Sequence, residues 1–260
     1  MRKKDLSDKE FYVEFKKKIK VKDGIAIQGF PGIGNIGKLA VDFLIDEIKP
    51  KEIARIRSIL FPNHVLVNEK NLIEPLYIKI LYKKIKNRNI VFISGNAQPT
   101  NEYYCHIFAY RLVNFLKSLG VTKIITTGGI GLSEEPQDPK VYCTGNDPSF
   151  INEFKKLKIN TNLMNFIGPI VGLTGIVPSV AKEYNIKSVI LLAEGFNHPF
   201  YIGINSSKKI IEILDKKYKL NVNIKKLEKI EILTIPKVNK VNKKISRQEN
   251  KSPNLSSYIG

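Results

Sequence analysis

Short apolar runs closed by glycine or proline alternate along this chain with stretches of helical periodicity, and that alternation narrows the possible folds more than any other feature. The run Gly24-Ile25-Ala26-Ile27-Gln28-Gly29 is too short and too evenly apolar for an amphipathic helix, and it reads as a buried strand. A glycine-rich turn follows. Ile36, Leu39, Ala40, Phe43, Leu44 and Ile48 then recur at helical spacing, with Pro50 just beyond the end. Strand, turn and helix therefore follow one another within the first fifty residues.

The same pattern repeats downstream. Residues 53–59 and 90–94 read as strands, and residues 76–82 alternate apolar side chains with lysine as an edge or half-exposed strand does. Tyr104, Ile107, Phe108, Leu112, Phe115 and Leu116 share one face of the longest expected helix, over 101–119, which Gly120 stops. Residues 123–127 form a buried run ending at Gly128-Gly129, and an acidic loop with Glu134, Glu135 and Asp138 leads to a strand over 141–144. Asp147-Pro148 opens a helix, because Asp caps free amides and Pro needs no amide partner at the first helical position. A second glycine-rich segment over 168–175 precedes a helix ending near Tyr184, and 188–193 is another buried strand. Ser206 or Ser207 is expected to cap a helix carrying Ile210, Ile211, Ile213 and Leu214, and 222–233 is a further amphipathic stretch. The charged leader over 1–23 holds Phe11, Tyr12, Val13 and Phe15, enough for a short strand or helix.

Alternating strands and helices of this kind imply a three-layer α/β/α domain with a mostly parallel or mixed sheet, placed at residues 1–236. Residues 237–260 are rich in Lys, Asn and Ser, too polar to repay the entropy of ordering, and read as a flexible basic tail. No apolar run approaches the roughly 18 to 20 residues that span a bilayer. The basic start continues into Lys- and Glu-rich sequence where a signal peptide would turn apolar, so a cytoplasmic protein is expected.

The net charge of +19 raises nucleic acid as a partner, but its make-up argues against it. The basic excess lies at the two ends of the chain, the middle is nearly neutral, and 37 of the 43 basic residues are Lys. Base and phosphate forks favour the planar guanidinium of Arg. Cys105 and Cys143 stand alone, and His64, His106 and His198 show no metal-ligand spacing, so neither a disulfide framework nor a metal is expected.

Gly32-Ile33-Gly34-Asn35-Ile36-Gly37 satisfies the dinucleotide fingerprint and follows a strand, but the second strand lacks the terminal acid that would hold a ribose. Cys105 and His106 are neighbours in the expected helix, where adjacent side chains diverge by about 100° and make no dyad. Glu194 closes a buried strand where open α/β folds place ligands, yet no second catalytic group is spaced beside it. A carboxylate tied to a nearby donor is the simpler reading. No catalytic residue and no cofactor is assigned.

Four turns remain: Gly29-Phe30-Pro31-Gly32-Ile33-Gly34-Asn35-Ile36-Gly37, Gly95-Asn96-Ala97-Gln98-Pro99, Thr127-Gly128-Gly129, and Gly168-Pro169-Ile170-Val171-Gly172-Leu173-Thr174-Gly175. In this order they resemble the proteasome assembly chaperone 2 family, including its archaeal members, over residues 20–220. The resemblance implies a fold related to purine nucleoside phosphorylases, homo-oligomeric assembly, and a non-enzymatic chaperone that binds core proteasome α subunits or assembly intermediates through a C-terminal tail. Such tails end in a hydrophobic residue, Tyr and one last residue. This chain ends Ser257-Tyr258-Ile259-Gly260, with its Tyr third from the end, so Tyr258 and Ile259 are the candidate anchors in an altered register. The other partner-binding candidates are Phe30, Pro31, Gly32, Gly34, Asn35, Gln98, Gly128, Gly129 and Glu194. The alternative reading is an enzyme or binder of a small nucleoside or phosphorylated ligand at the same turns.

Overall fold

The computed structural model describes residues 9–157, 159–161, 163 and 168–227. The chain divides into a unit from Met1 to Val222 and another from Asn223 to Gly260. Of the stretch expected over 222–233, residues 225–227 are helical, and the remainder from 228 lies outside the described residues, as does the tail with Tyr258 and Ile259.

In chain order the first unit contains strands β1 (Tyr12–Phe15), β2 (Gly24–Gly29), β3 (Lys51–Arg57), β4 (Leu66–Val67), β5 (Ile73–Glu74), β6 (Ile78–Ile85), β7 (Arg88–Gly95), β8 (Val121–Leu132), β9 (Val141–Gly145) and β10 (Lys187–Phe196). The helices are α1 (Ile36–Ile48), α2 (Glu102–Leu119), α3 (Pro148–Lys155), α4 (Leu173–Glu183) and α5 (Ile204–Tyr218). Eight strands form one sheet in the order β1-β3-β6-β7-β2-β8-β10-β9, while β4 and β5 make a separate hairpin. Strands β7, β2, β8 and β10 run parallel, and antiparallel strands extend the sheet on both sides. The sheet is therefore mixed, with a parallel centre.

Both faces of that centre are covered, which is why its strands read as continuous apolar runs. On one face Ala26, Val91, Ile93 and Ile124 join a core with Phe108, Leu112 and Leu116 of α2 and Val177, Val180 and Ala181 of α4. On the other, Gly29 opens the way for α1: a Cβ there would lie 2.2 Å from the Gly37 carbonyl oxygen. A Cβ on Gly37 would in turn lie 2.2 Å from the Thr127 carbonyl oxygen. Two missing methyl groups thus set the distance between α1 and strands β2 and β8.

Local chemistry fixes most helix ends. Asn101 accepts the Tyr104 amide at 3.2 Å, and Asp147 accepts that of Phe150 at 2.8 Å, each satisfying an otherwise free donor of the first turn. Gly120 ends α2 at φ 100°, a left-handed conformation that favours glycine.

Of the two readings of residues 76–82, the half-exposed strand holds and the edge does not, since β6 lies inside the sheet between β3 and β7. Two expectations are corrected. Gly128-Gly129 does not end a strand: β8 runs on to Leu132, and the pair lies inside it. Neither Ser206 nor Ser207 caps α5, whose N-cap is Gly203. Their hydroxyls lie near the helix start: Ser206 donates to the Glu194 carbonyl at 2.6 Å, and Ser207 lies between the Gly203 carbonyl of its own helix at 2.6 Å and the Ile36 carbonyl at 2.9 Å.

The close approach of α1 gives a prediction with an internal control. Gly37→Ala overpacks the helix–sheet contact and should cost about 1–3 kcal/mol. Gly32→Ala meets open space in an extended backbone and should be nearly neutral. Urea unfolding of the two variants distinguishes these outcomes.

Candidate functional site

A cleft of about 820 Å³ opens at the carboxyl ends of the parallel strands, the usual ligand position in open α/β sheets. It gathers part of all four turns: Phe30, Pro31 and Gly32 after β2, Gln98 after β7, Gly128 and Gly129 in β8, and residues 168–172 before α4. Segments far apart in sequence therefore share one site.

Gln98 holds this site together. Its Nε2 donates to the Pro31 carbonyl at 2.6 Å, and its Oε1 accepts the Leu173 amide at 3.0 Å. Gly172, the residue before α4, has φ 76°, and a Cβ there would crowd Gln98 Oε1 at 3.0 Å. In the same loop Asn96 Oδ1 accepts the Tyr77 amide at 2.9 Å, fastening the base of the β4–β5 arm.

The start of α4 is bonded to the sheet as well. Pro178 lies inside this helix and has no N–H to offer the carbonyl of Thr174, four residues earlier. The hydroxyl of Thr126 donates to that carbonyl instead, at 2.8 Å. Buried Gln28 donates from Nε2 to the Leu173 carbonyl at 3.3 Å, and Thr127 Oγ1 donates to the Gln28 carbonyl at 2.9 Å. None of these threonine and glutamine contacts follows from motif spacing, because each partner is distant in the chain.

Packing accounts for two glycines of the cleft, whereas a Cβ on Gly32 or Gly168 would meet open space. A Cβ on Gly128 would meet Thr174 Cγ2 at 3.0 Å, and one on Gly129 would meet Ile36 Cδ1 at 2.8 Å. Gly34 and Asn35 belong to a 3-10 turn ahead of α1 and do not line the cleft. Gly34 has φ 54° against the Tyr201 ring, and Asn35 is left-handed, with no side-chain bond capping α1.

Glu194 is also absent from the lining. It is buried within β10, two residues before the strand ends, and both carboxylate oxygens are used: Oε1 accepts from the Tyr142 hydroxyl at 2.8 Å and Oε2 from the Lys140 amide at 2.9 Å. Burial, reinforced by this carboxylate, pushes the Tyr142 phenol up to about 12.

The titratable side chains that line the cleft are Glu102, Cys105 and His106 of α2. Cys105 is buried and its thiol is raised by burial, which disfavours a thiolate, while the neighbouring His106 is exposed. Among the described residues no Lys or Arg lines the cleft, in a chain that has 43 of them. A phosphate would find no counter-charge among those residues. Apolar side chains such as Phe30, Ile130, Ile170 and Leu192 supply most of its walls.

A model of the PAC2 family matches residues 26–231. The uncharacterized protein MJ1210 of Methanocaldococcus jannaschii is 28% identical over 210 residues, covering 80% of this chain and 79% of the relative. Among solved structures, PbaB of Pyrococcus furiosus, an archaeal proteasome activator, superposes with a TM-score of 0.81 at 25% identity, covering 90% of this chain and 99% of PbaB. PbaA of the same organism, an archaeal homolog of proteasome-assembly chaperone, shares the fold with a TM-score of 0.72 at 23% identity, covering 92% and 95% of the two chains.

Two measurements check the bonding of the site. Thr126→Val should cost about 1–3 kcal/mol by leaving the Thr174 carbonyl without a donor. In a Pro178→Ala background, where the helix supplies its own N–H, the same change should cost less than about 1 kcal/mol, as a double-mutant cycle will read. Tyr142 gives a pH test. Its folded pKa of about 12 exceeds the ordinary 10, so its contribution is complete below pH 10 and is lost as pH rises towards 12. The stability difference between the wild type and Tyr142→Phe should therefore shrink across that window.

Proposed function

The chain belongs to the PAC2 family, and from that premise we propose that it is a non-enzymatic, proteasome assembly chaperone-like protein that binds core proteasome α subunits or their assembly intermediates. The observation that carries this reading is the use made of the polar groups at the carboxyl end of the sheet. Both ends of the Gln98 carboxamide, both oxygens of Glu194 and the hydroxyls of Thr126 and Thr127 are bonded within the protein. A hydrolase or transferase needs an acid, a base or a nucleophile directed at empty space. Here these groups hold loops in place.

The likeness to PbaB supports the same assignment. A folded platform bearing a basic C-terminal segment is suited to reversible contact with an acidic protein surface, since such charge accelerates encounter and is screened by salt. On this proposal the segment over 237–260 is the tether, Tyr258 and Ile259 are its anchors, and residues 1–236 are the platform. The cytoplasm, where proteasome subunits assemble, is the proposed location.

Gel filtration with purified archaeal α subunits tests the proposal. The full chain should co-elute with them, and more weakly as salt is raised. The chain truncated after Pro236 should lose most of the association while keeping its melting temperature. Separate elution of the full chain at low salt would contradict the reading.

A further inference from the structure

Strand β8 outruns its neighbour on one side. It pairs with β2 up to Thr127 and with β10 up to Leu132, so residues 128–132 have a partner strand on the β10 side alone. Burial changes at the same place: residues 124–127 are buried, Gly128, Gly129 and Ile130 are half-buried, and Gly131 is exposed. A strand edge presents unpaired N–H and C=O groups, here at every second residue, since the others point to β10. Among the described residues, no hydrogen bond from the turn after β2 reaches them.

Both faces of this stretch are closed. A Cβ on Gly129 or Gly131 would meet Ile33, and one on Gly128 would meet Thr174. What remains open is the edge in the plane of the sheet, and Gly128, Gly129, Ile130 and Gly131 line the cleft. Glycines inside a strand often mark a close approach by another backbone. Five residues at about 3.3 Å each give an edge of about 16 Å. Beside it, Val171 lines the cleft with 82% of its surface exposed, an apolar side chain left without cover.

We propose that this edge receives an extended segment of another polypeptide, which adds to β8 in the place that β2 leaves empty. Backbone groups in a row are met best by another backbone, as in other cases of strand addition. Charge narrows the segment further. Among the described residues Glu102 is the one carboxylate of the cleft and no Lys or Arg lines it, so an acidic segment would bury its charge without a counter-ion. A basic segment would approach a chain of net charge +19. The occupant is therefore uncharged, with apolar side chains to meet Ile130, Ile170 and Leu192 of the lining.

The inference goes beyond the α-subunit reading and stands or falls without it, because its test uses the purified chain and synthetic peptides. The chain has no Trp, so one Trp in a peptide reports binding by its fluorescence. The probes are end-blocked hexapeptides in which Trp and Leu, Val or Phe alternate with Ser. At least one should bind below millimolar concentration, and versions with a central Asp or Lys should bind more weakly. Of two analogues of the binding peptide, N-methylated at opposite sets of alternate residues, one should bind about tenfold more weakly than the other, since it loses its ladder bonds. Gly32→Phe, whose Cβ has open space, should fill the cleft and abolish binding at an unchanged melting temperature. No binding by any peptide, equal binding of the charged versions, equal binding of the two analogues, or full binding by the folded variant overturns the proposal. If the variant fails to fold, hydrogen exchange of the wild type decides: alternate amides of 128–132 should gain protection when peptide is added. Unchanged exchange, or protection that rises with protein concentration alone and so assigns the edge to a second copy, overturns it.

Discussion

The carboxamide of Gln98 joins three segments at the mouth of the cleft: its own loop after β7, the turn after β2 and the first turn of α4. Each of its two bonds satisfies a backbone group at the mouth of a cleft, where an unpaired amide or carbonyl costs about 1–3 kcal/mol. Asn96, two residues earlier, extends the joint to the base of the hairpin arm. The loop between β7 and α2, with its two amide side chains, thus ties the cleft to the base of the arm.

The bonding around α4 follows the same economy. Pro178 removes one helical hydrogen bond, the sheet replaces it through Thr126, and the carbonyl of Pro178 itself accepts the side-chain amide of Asn146 at 3.0 Å. Glycine serves close approach more often than chain reversal: Gly29 and Gly37 admit α1 to the sheet, and Gly128 and Gly129 make room for Thr174 and Ile36. A cleft whose amides are so occupied has a defined shape and a mostly apolar lining, properties suited to holding a protein surface.

Much of the fold was legible in the sequence where the determining interactions are local. Asp147 caps its helix, Gly120 stops α2, and the apolar run over 24–29 is a buried strand, as their immediate neighbours dictate. Legibility failed where tertiary partners decide. The lysine alternation of β6 left an edge strand and a half-exposed strand both open, and only pairing with β3 and β7 decides between them. Ser206 and Ser207 have the chemistry of caps, but Glu194 and Ile36 offer them carbonyls from other elements. The four ordered turns pointed to the family and, through Gln98, to the centre of the cleft. Thr126 and Gln28 carried no signal, since their partners lie 48 and 145 residues away.

The account rests on the Gln98 carboxamide as a structural joint, and native-state hydrogen exchange at one amide tests it most directly. The Leu173 N–H should exchange slowly in the wild type and markedly faster in Gln98→Leu, with the amides of β2 and β8 unchanged in both. If the Leu173 amide exchanges at the same rate in the two proteins, Gln98 does not hold the loops, and the polar groups of the cleft are available for other work.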